Sequence, residues 1–418
     1  MVTDFGWSGV NALTGKRVVL GVCGSIASFK AAQLCSSLVQ LGADVDVILT
    51  ASAREFVTPL TFQALTRRPV ATHIHDVMPD LSSAHVELGM RADVLVICPA
   101  TATTLARLAH GFADDLLACT VLATRAPVII APAMNVNMWH HEATQSNIAT
   151  LRARGVCQVG PVSGYLAEGI TGMGRLSPLE DVIGAVRKAL GRNGALAGRR
   201  IVITAGGTHE PLDPVRFIGN RSSGKMGYAL AEAALDAGAD VTLVSGPVSL
   251  PRPWGVDFVQ VGTASEMADA TLGACDGADA LIMAAAVADY RPASVADRKL
   301  KRSSSPLRID LSPNPDILAS VTARFGDALV KVGFAAETGE VTTEAIRKLQ
   351  AKGAHLICAN DVTEPGSGFG TDTNRVTMFA RDDERTGPHV EHLPMLPKDE
   401  VARRIVARTA MLVGSLNR

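Results

Sequence analysis

Two segments of the chain combine residue types that could do chemistry. Residues 131–139 (APAMNVNMW) place two asparagines and a tryptophan directly after an apolar run. A buried asparagine needs several hydrogen-bond partners, so this segment predicts a polar binding site more readily than plain packing. Residues 204–227 form the longest segment without hydrophobic periodicity, and Ser222 to Lys225 precede a predicted helix. Backbone N–H groups and the helix dipole there favour anionic oxygens, whereas the alternative is a turn-rich structural loop.

Hydroxyl-bearing residues follow three further apolar runs. Gly24 and Ser25 open a predicted helix after the first run, where they could surround a phosphate or form a plain tight turn. Thr50 and Ser52 follow the second run, and residues 99–103 (PATAT) follow the third. Neither half of the chain contains a complete GxGxxG or GxxxxGK(S/T) motif, which argues against a standard dinucleotide site or P-loop.

The elements that must position these residues are short β-branched strands alternating with helices. Strand candidates lie at 17–22, 45–49, 94–98 and 128–131 in the first half, and at 200–204, 241–244, 280–284, 330–334 and 355–359 in the second. Unbroken apolar strands of this kind predict parallel sheets covered on both faces. We therefore predict an α/β chain with two doubly wound domains, at 1–190 and 191–418, joined by a Gly-rich polar linker. Ligands of such sheets bind beyond the carboxyl ends of the strands, where the polar residues lie.

Composition and charge exclude several classes of protein. The 418 residues carry a net charge of −1, and the one dense basic stretch, at 298–302, is by default a solvated loop. A nucleic-acid binder would show a basic excess. The seven cysteines are scattered without a CxxC pair, as is typical of reduced thiols in a cytoplasmic protein. The N-terminal residues lack the apolar core of a signal peptide, and no apolar run is long enough to span a membrane.

The first half resembles the flavin-dependent cysteine decarboxylases. The resemblance rests on the motif PxMNxxMW at 132–139, together with Ser25, His85 and the PATA segment at 99–102. It implies a flavodoxin-like domain that binds FMN, with His85 as the catalytic base and Asn135 bonded to the substrate carboxylate. The flavin would oxidise the cysteinyl thiol to a thioaldehyde, which lets CO2 leave, and would then return a hydride. The implied FMN-binding residues are Ser25, Thr50, Ser52, Pro99, Ala100, Thr101, Thr103 and Met134.

One position departs from this family pattern. The family has a flexible flap whose cysteine protonates the final intermediate, within a Gly-rich segment that ends in GRM or GRL. The corresponding segment here is 163–176 (SGYLAEGITGMGRL), and Glu168 stands at the cysteine position. One hypothesis is that Glu168 donates the proton, because a carboxyl group closed under an apolar flap can keep its proton near neutral pH. The alternative is that Glu168 is a solvated loop residue and that another group or water donates.

The second half resembles the phosphopantothenate–cysteine ligases. Residues 203–227 match the signature ITAGGTxEPxDPVRxIxNxSSGKMG almost completely. The resemblance implies that Asn220 contacts an acyl-nucleotide intermediate, that Arg216 assists its conversion, and that Lys299 lies on the transferring phosphate. The other implied nucleotide-binding residues are Gly206, Gly207, Ala284, Ala285, Asp289, Pro315, Asp316, Ile317, Leu318, Phe334, Lys348 and Lys352. Without the resemblance, the last two would be an ordinary i, i+4 pair on a surface helix.

Together the halves resemble the bacterial two-domain coenzyme A biosynthesis proteins. This implies CTP-dependent ligation of 4′-phosphopantothenate with cysteine through an acyl-cytidylate, then decarboxylation to 4′-phosphopantetheine, with Mg2+ offsetting the triphosphate charge. It also implies trimeric flavin domains and dimeric ligase domains, hence a possible dodecamer. Flavin prenyltransferases and peptidyl-cysteine decarboxylases share the first fold but lack a ligase half. A regulatory flavoprotein that binds a phosphatase is the non-catalytic alternative.

Overall fold

The computed structural model describes residues 13–76, 83–302, 306–337, 341–368, 370–381 and 389–416. These residues divide into two compact units between Leu190 and Gly191. Across these ranges we find no helix with the length and apolarity that a membrane crossing requires.

The first unit is built on a parallel sheet of six strands. Its strands are β1 (Arg17–Val22), β2 (Asp44–Leu49), β3 (Val70–Ala71), β4 (Val94–Ala100), β5 (Val128–Pro132) and β6 (Cys157–Gln158). The spatial order is β3-β2-β1-β4-β5-β6, which becomes the flavodoxin order 2-1-3-4-5 when the two-residue edge strand β3 is set aside. All seven positions of β4 are buried, as expected for a strand covered on both faces.

Most helices of the first unit lie between these strands, and a hairpin and a final helix follow the last strand. The helices are α1 (Ser28–Gln40), α2 (Pro59–Thr66), α3 (Ala84–Arg91), α4 (Ala102–His110), α5 (Leu116–Ala123), α6 (Val136–His140), α7 (Glu142–Ala153) and α8 (Leu179–Gly191), with a 3-10 turn at Ala51–Glu55. Thr101, Asp115 and Asn135 cap α4, α5 and α6 with their side chains, so each helix starts directly after a strand or loop. The hairpin consists of β7 (Val162–Tyr165) and β8 (Thr171–Arg175).

The second unit contains an eight-stranded sheet. Its strands are β9 (Arg200–Ala205), β12 (Asp240–Ser245), β13 (Asp257–Gln260), β14 (Ala280–Met283), β17 (Val330–Glu337), β18 (Leu356–Asp361), β20 (Thr377–Ala380) and β21 (His389–His392). The order β13-β12-β9-β14-β17-β18 is parallel and corresponds to the Rossmann order 3-2-1-4-5-6. Strands β20 and β21 extend the sheet in antiparallel fashion. The predicted fold class, two doubly wound α/β units, is therefore confirmed.

Helices and small ribbons complete the second unit. The helices are α9 (Lys225–Asp236), α10 (Ala264–Ala274), α11 (Ile317–Phe325), α12 (Val341–Ala351) and α13 (Lys398–Leu416), with a 3-10 turn at Gly326–Ala328. Three two-stranded antiparallel ribbons pair β10 (His209–Pro211) with β11 (Phe217–Gly219), β15 (Tyr290–Pro292) with β16 (Leu311–Pro313), and β19 (Thr373–Asn374) with β22 (Leu396–Pro397). The first two ribbons lie in the loops that follow β9 and β14, so they extend the carboxyl edge of the sheet.

All seven cysteines are free thiols, and five of them are buried. Burial raises the pKa of Cys23 to about 11 and that of Cys98 to about 12. The pKa values of the other five thiols are raised as well, in each case chiefly by burial. The thiols are therefore protonated at neutral pH.

Candidate functional sites

The carboxyl ends of four strands in the first unit are joined to one another by backbone hydrogen bonds. The Thr50 N–H donates to the Val22 carbonyl (3.1 Å), and the Cys23 N–H donates to the Pro99 carbonyl (3.3 Å). The Ala133 N–H donates to the carbonyl at the end of β4 (3.2 Å). The loops after β1, β2, β4 and β5 therefore meet at one edge of the sheet, as the sequence predicted.

Residues expected to bind a flavin lie in these four loops. Gly24 packs so closely on the loop after β2 that a Cβ there would lie 2.4 Å from Ser52 Cβ, which makes glycine necessary. The Thr50 hydroxyl donates to the Val22 carbonyl (3.3 Å), and Thr101 accepts from the Thr104 N–H at the start of α4 (3.4 Å). Ser52 and Thr103 are exposed, Ser25 and Met134 are half-buried, and Pro99 and Ala100 are buried. A crevice of glycine, hydroxyls and a capped helix start fits a phosphate-bearing flavin.

His85 lies in the first turn of α3, whose N-cap is Ser83. Its Nδ1 lies 3.0 Å from the Ser83 hydroxyl, a contact that fixes the imidazole ring. The ring is half-buried. Among the described contacts His85 does not bond to Asn135, so a substrate would have to link the two.

Asn135 is held between α6 and the tip of the β7–β8 hairpin. Its Oδ1 accepts from the Asn137 N–H (2.8 Å), which caps α6, and its Nδ2 donates to Glu168 Oε1 (3.2 Å). Glu168 is exposed in the turn between the two hairpin strands. The residue at the position of the family's flap cysteine therefore reaches the amide that was predicted to bind the substrate carboxylate.

The hairpin is docked through Gly174. The Met134 N–H donates to the Gly174 carbonyl (3.0 Å). Gly174 has φ +140°, and a Cβ there would lie 2.2 Å from the Met134 carbonyl oxygen. No side chain fits at this contact, which explains why a glycine stands at position 174.

The second unit holds a cleft of about 640 Å³ at the carboxyl edge of its sheet. The start of α9, the loop after β14, the start of α11, and β17 line it. The predicted site residues that line it are Asn220, Ala284, Ala285, Asp289, Pro315, Asp316, Ile317, Leu318, Phe334, Lys348 and Lys352. The structure thus brings most of the predicted nucleotide-binding residues together.

Three polar side chains shape the loop after β14. Thr204 accepts from the Ala285 N–H (3.1 Å), and Thr208 accepts from the Ala288 N–H (3.0 Å). Asn220 donates through Nδ2 to the carbonyls of Ala286 (3.1 Å) and Val287 (3.2 Å). The signature segment therefore sets the backbone of the opposite cleft wall.

The two predicted cleft lysines are paired with carboxylates. Lys348 Nζ lies 2.6 Å from Glu337 Oε1, and Lys352 bonds to Asp316. Asp316 also caps α11 by accepting from the Ala319 N–H (3.0 Å). These lysines are therefore more than the ordinary i, i+4 surface pair.

Four predicted residues do not line the cleft. Gly206 and Gly207 lie behind its wall: the Ala286 N–H donates to the Gly206 carbonyl (2.8 Å), and a Cβ on Gly207 would lie 3.0 Å from the Asn220 carbonyl oxygen. Lys299 is exposed in the loop after β15. The fourth, Arg216, forms an ion pair with a buried carboxylate instead.

That carboxylate belongs to Asp213, which lies in the signature segment. Arg216 Nη2 lies 2.6 Å from Asp213 Oδ2 and also donates to the Leu300 carbonyl (2.9 Å). The Arg216 guanidinium holds the pKa of Asp213 well below its usual range.

Sequence reasoning assigned no role to Asp213 or to Asn314. Asn314 lines the cleft and donates to the Ala288 carbonyl (2.8 Å). Asp213 falls within the quoted signature, and Asn314 directly precedes the predicted residues Pro315 and Asp316. Position in a motif does not show which residue makes a long-range contact.

The two units define a two-part α/β enzyme, one half with a crevice of the flavoprotein type and the other with a nucleotide-type cleft. Residues 10–191 match the Flavoprotein family, and residues 196–412 match the DNA/pantothenate metabolism flavoprotein C-terminal domain. The chain is 45% identical over 408 residues (97% of this chain and 100% of the relative) to the coenzyme A biosynthesis bifunctional protein CoaBC of Vibrio vulnificus strain YJ016. It is 45% identical over 403 residues (96% and 98%) to the CoaBC protein of Bacillus subtilis strain 168.

A solved structure of the C-terminal domain of a CoaBC protein is also similar, with 42% identity, coverage of 53% of this chain and 99% of that chain, and a TM-score of 0.45. The full-length matches show that the chain belongs to the family of coenzyme A biosynthesis bifunctional proteins. It is therefore a bifunctional enzyme of coenzyme A biosynthesis, with a flavoprotein half that is a phosphopantothenoylcysteine decarboxylase and a phosphopantothenate–cysteine ligase half. The predicted family is confirmed. The single-domain flavin enzymes and the regulatory flavoprotein are set aside, because the match extends through both halves.

Proposed function

We propose that the cleft of the second unit binds CTP and activates 4′-phosphopantothenate. The carboxylate attacks the α-phosphate, forming the acyl-cytidylate and releasing pyrophosphate. The amine of cysteine then attacks the acyl carbon, forming the amide and releasing CMP. The observation that supports this reading is the cleft itself, which joins a helix start, a lysine-bearing wall and backbone amide groups at one sheet edge.

The residues of this cleft suit an anionic nucleotide. Gly224, with φ +78°, precedes α9, and the first residues of that helix line the cleft, where a helix start would favour phosphate oxygens. Phe334 supplies an apolar surface for the base, and Asp289 a polar group for the nucleoside. Lys348 and Lys352 would exchange their carboxylate partners for phosphate oxygens. Asn220 would contact the acyl-cytidylate from the wall it already shapes.

Mg2+ would be held mainly by the triphosphate oxygens and by water. Within the described residues, no group of three or more His, Cys, Asp or Glu side chains could hold a metal ion. Asp289 and Asp316 line the cleft and could bond to the hydration shell of the ion. Lys299 would stabilise the negative charge that develops as pyrophosphate leaves.

In the first unit, we propose that the crevice residues hold FMN. The hydroxyls of Ser25, Thr50 and Thr101 and the backbone at Gly24 would surround its phosphate and ring, and Met134 would pack on it. When bound, the flavin supplies reversible oxidation of the substrate thiol. His85, whose ring is fixed by Ser83, acts as the base, and Asn135 bonds to the substrate carboxylate.

We further propose that Glu168 donates the final proton. This proposal is supported by the bond between Asn135 Nδ2 and Glu168 Oε1 (3.2 Å), which brings the flap tip to the amide that we propose bonds to the substrate carboxylate. Once CO2 has left, the Asn135 side-chain amide can bond to Glu168 again. This bond would bring the Glu168 carboxyl group next to the substrate carbon that lost CO2. E168Q keeps the bond to Asn135 but carries no acidic proton, so it should stall after decarboxylation. Full turnover by E168Q would leave Glu168 as a solvated flap residue.

The first experiment is mass spectrometry of purified full-length protein given 4′-phosphopantothenate, cysteine, CTP and Mg2+, with a matched ATP reaction. Formation of 4′-phosphopantetheine with CTP would support the proposed order of reactions, ligation followed by decarboxylation. It would also mean that Glu168 is compatible with turnover. Accumulation of 4′-phosphopantothenoylcysteine would leave the ligase proposal standing and contradict the proposed decarboxylase site. Equal rates with ATP and CTP would contradict the choice of nucleotide.

We also propose domain limits at 1–190 and 191–418, a cytoplasmic location, and a homo-oligomer built from trimeric flavin and dimeric ligase domains. The seven protonated free thiols support a reducing compartment. Native mass spectrometry of the purified protein tests the oligomer, with a twelve-chain mass expected.

A further inference from the structure

The Asp213 carboxylate is almost fully buried, with 3% of the residue exposed, and accepts five hydrogen bonds. Oδ1 accepts from the N–H groups of Val215 (2.8 Å) and Arg216 (2.9 Å). Oδ2 accepts from Arg216 Nε (3.0 Å) and Nη2 (2.6 Å) and from the Leu300 N–H (3.1 Å). The first four donors are local, whereas the fifth comes from a loop 87 residues away.

Leu300 is held at both of its backbone groups. Its N–H donates to Asp213, and its carbonyl accepts from Arg216 Nη2 (2.9 Å). On the other side of Lys299, the Ala296 N–H donates to the Leu212 carbonyl (3.1 Å). The backbone of Lys299 is therefore fixed on both sides by the same turn of the signature segment.

The Lys299 side chain itself is free to act. It is exposed, and among the residues that the structure describes no hydrogen bond or ion pair holds its ammonium group. The position of this charge is therefore set by its backbone rather than by a partner of the side chain.

We propose that Asp213 is a positioning residue of the ligase reaction, which acts through Leu300 to fix where Lys299 presents its charge. This inference rests on the proposed role of Lys299 at the transferring phosphate. Arg216 stabilises the same contact, because its guanidinium donates to both the Asp213 carboxylate and the Leu300 carbonyl. Arg216 would then assist conversion of the intermediate by holding the loop.

The test uses D213N in the full-length chain. An asparagine offers one acceptor oxygen where the carboxylate offers two, so in either orientation of the amide its Nδ2 would face N–H donors. The ion pair with Arg216, which also holds the Leu300 carbonyl, would be lost, so the link to the loop would weaken. The kcat of D213N, measured by pyrophosphate release, should be about 100-fold lower than that of the wild type. A displacement of the Lys299 charge by about 1 Å can lower the rate by that factor. The KM for CTP should change less than about 3-fold, because the cleft walls are not altered. Hydrogen exchange of the peptide 296–302 should become faster.

The controls separate this inference from the proposed function. K299Q should lower kcat by about 100-fold or more while leaving exchange at 296–302 unchanged. If K299Q keeps full ligase turnover, the proposed role of Lys299 fails whatever D213N does. D276N removes the carboxylate of an exposed pair with Arg324 (2.8 Å) and should leave kcat unchanged. Decarboxylation of supplied 4′-phosphopantothenoylcysteine should be unchanged in all three variants, because the substitutions lie outside the first unit. Wild-type hydrogen exchange of peptides from β17 and β18 shows that the second unit is folded in each variant.

Two outcomes would overturn the inference. In the first, D213N accelerates exchange at 296–302 while kcat stays within about 3-fold of the wild type. In the second, kcat falls while the protection of Leu300 is retained, which would mean that Asp213 acts by some other route.

Discussion

His355 should make the second unit less stable as the pH falls below 6.5. The residue is 5% exposed, and its Nδ1 already accepts from the Lys331 N–H (3.1 Å). A second ring proton would have to enter at Nδ1, against that N–H group. Burial, then the charges of Arg381 and Lys331, lower the pKa of His355 from 6.5 to about 4, and only Asp327 opposes them.

The size of the stability loss follows from the difference between the pKa values of His355 in the unfolded and folded states. Above pH 6.5 the imidazole is neutral in both states, so its contribution is fully present. As the pH falls from 6.5 to about 4, the His355 imidazole becomes protonated in the unfolded chain but stays neutral in the folded chain. The free energy of unfolding therefore decreases progressively. Since one pKa unit equals about 1.4 kcal/mol, the full loss is about 3 kcal/mol. That is a large part of the ~5–15 kcal/mol that stabilises a typical domain.

The assay is urea unfolding at pH 7.5, 6.0 and 5.0, followed by pulsed hydrogen exchange of peptides from β17 and β18, so that only the second unit is scored. H355N keeps an acceptor near the Nδ1 position and does not titrate, so its free energy of unfolding should fall less steeply with pH than that of the wild type. H392N alters an exposed histidine and should follow the wild-type slope. Parallel curves for the wild type and H355N would refute the reasoning.

Three further outcomes are expected. G174A should slow decarboxylation by at least about 10-fold and leave ligation unchanged, because its Cβ would meet the Met134 carbonyl. G155A controls for backbone strain, since Gly155 has φ +84° but no neighbour within 4 Å. Equal losses of decarboxylation rate in the two variants would contradict the docking contact. K398M should raise the KM for CTP about 10-fold. The buried Lys398 ammonium donates to the carbonyls of Gly368 (3.0 Å) and Thr371 (2.7 Å), which belong to a loop that borders the cleft. An unchanged KM would mean that this loop does not contact the nucleotide. N220A should lower ligase kcat about 10- to 100-fold by leaving two cleft-wall carbonyls without their donor, with the decarboxylase as the internal control.

The fold and the cleft could be predicted because their signals are local. Apolar β-branched runs mark the strands, and the parallel topology then places every strand-end loop at one edge. Residues such as Asp289 and Phe334 followed from that rule and from the family motif together. The structure added only their common location around the cleft.

The remaining assignments depend on contacts between residues distant in the chain. Arg216 was expected to assist conversion of the intermediate, but the motif did not show that its guanidinium is bonded to Asp213 and to Leu300, 84 residues away. Likewise, the two lysines of α12 differ from a surface pair only because β17 and the start of α11 supply carboxylates. Spacing within one helix contains no information about partners on other elements.

The replacement of the flap cysteine by Glu168 has a consequence for chemical damage. Reduced flavins generate peroxide when they meet oxygen, and a flap cysteine would be the thiol nearest to that source. In this chain every thiol has a raised pKa, so the thiolate that peroxide and alkylating agents attack is scarce at neutral pH. The decarboxylase half should therefore resist electrophiles and oxidants that would inactivate a relative with a flap cysteine.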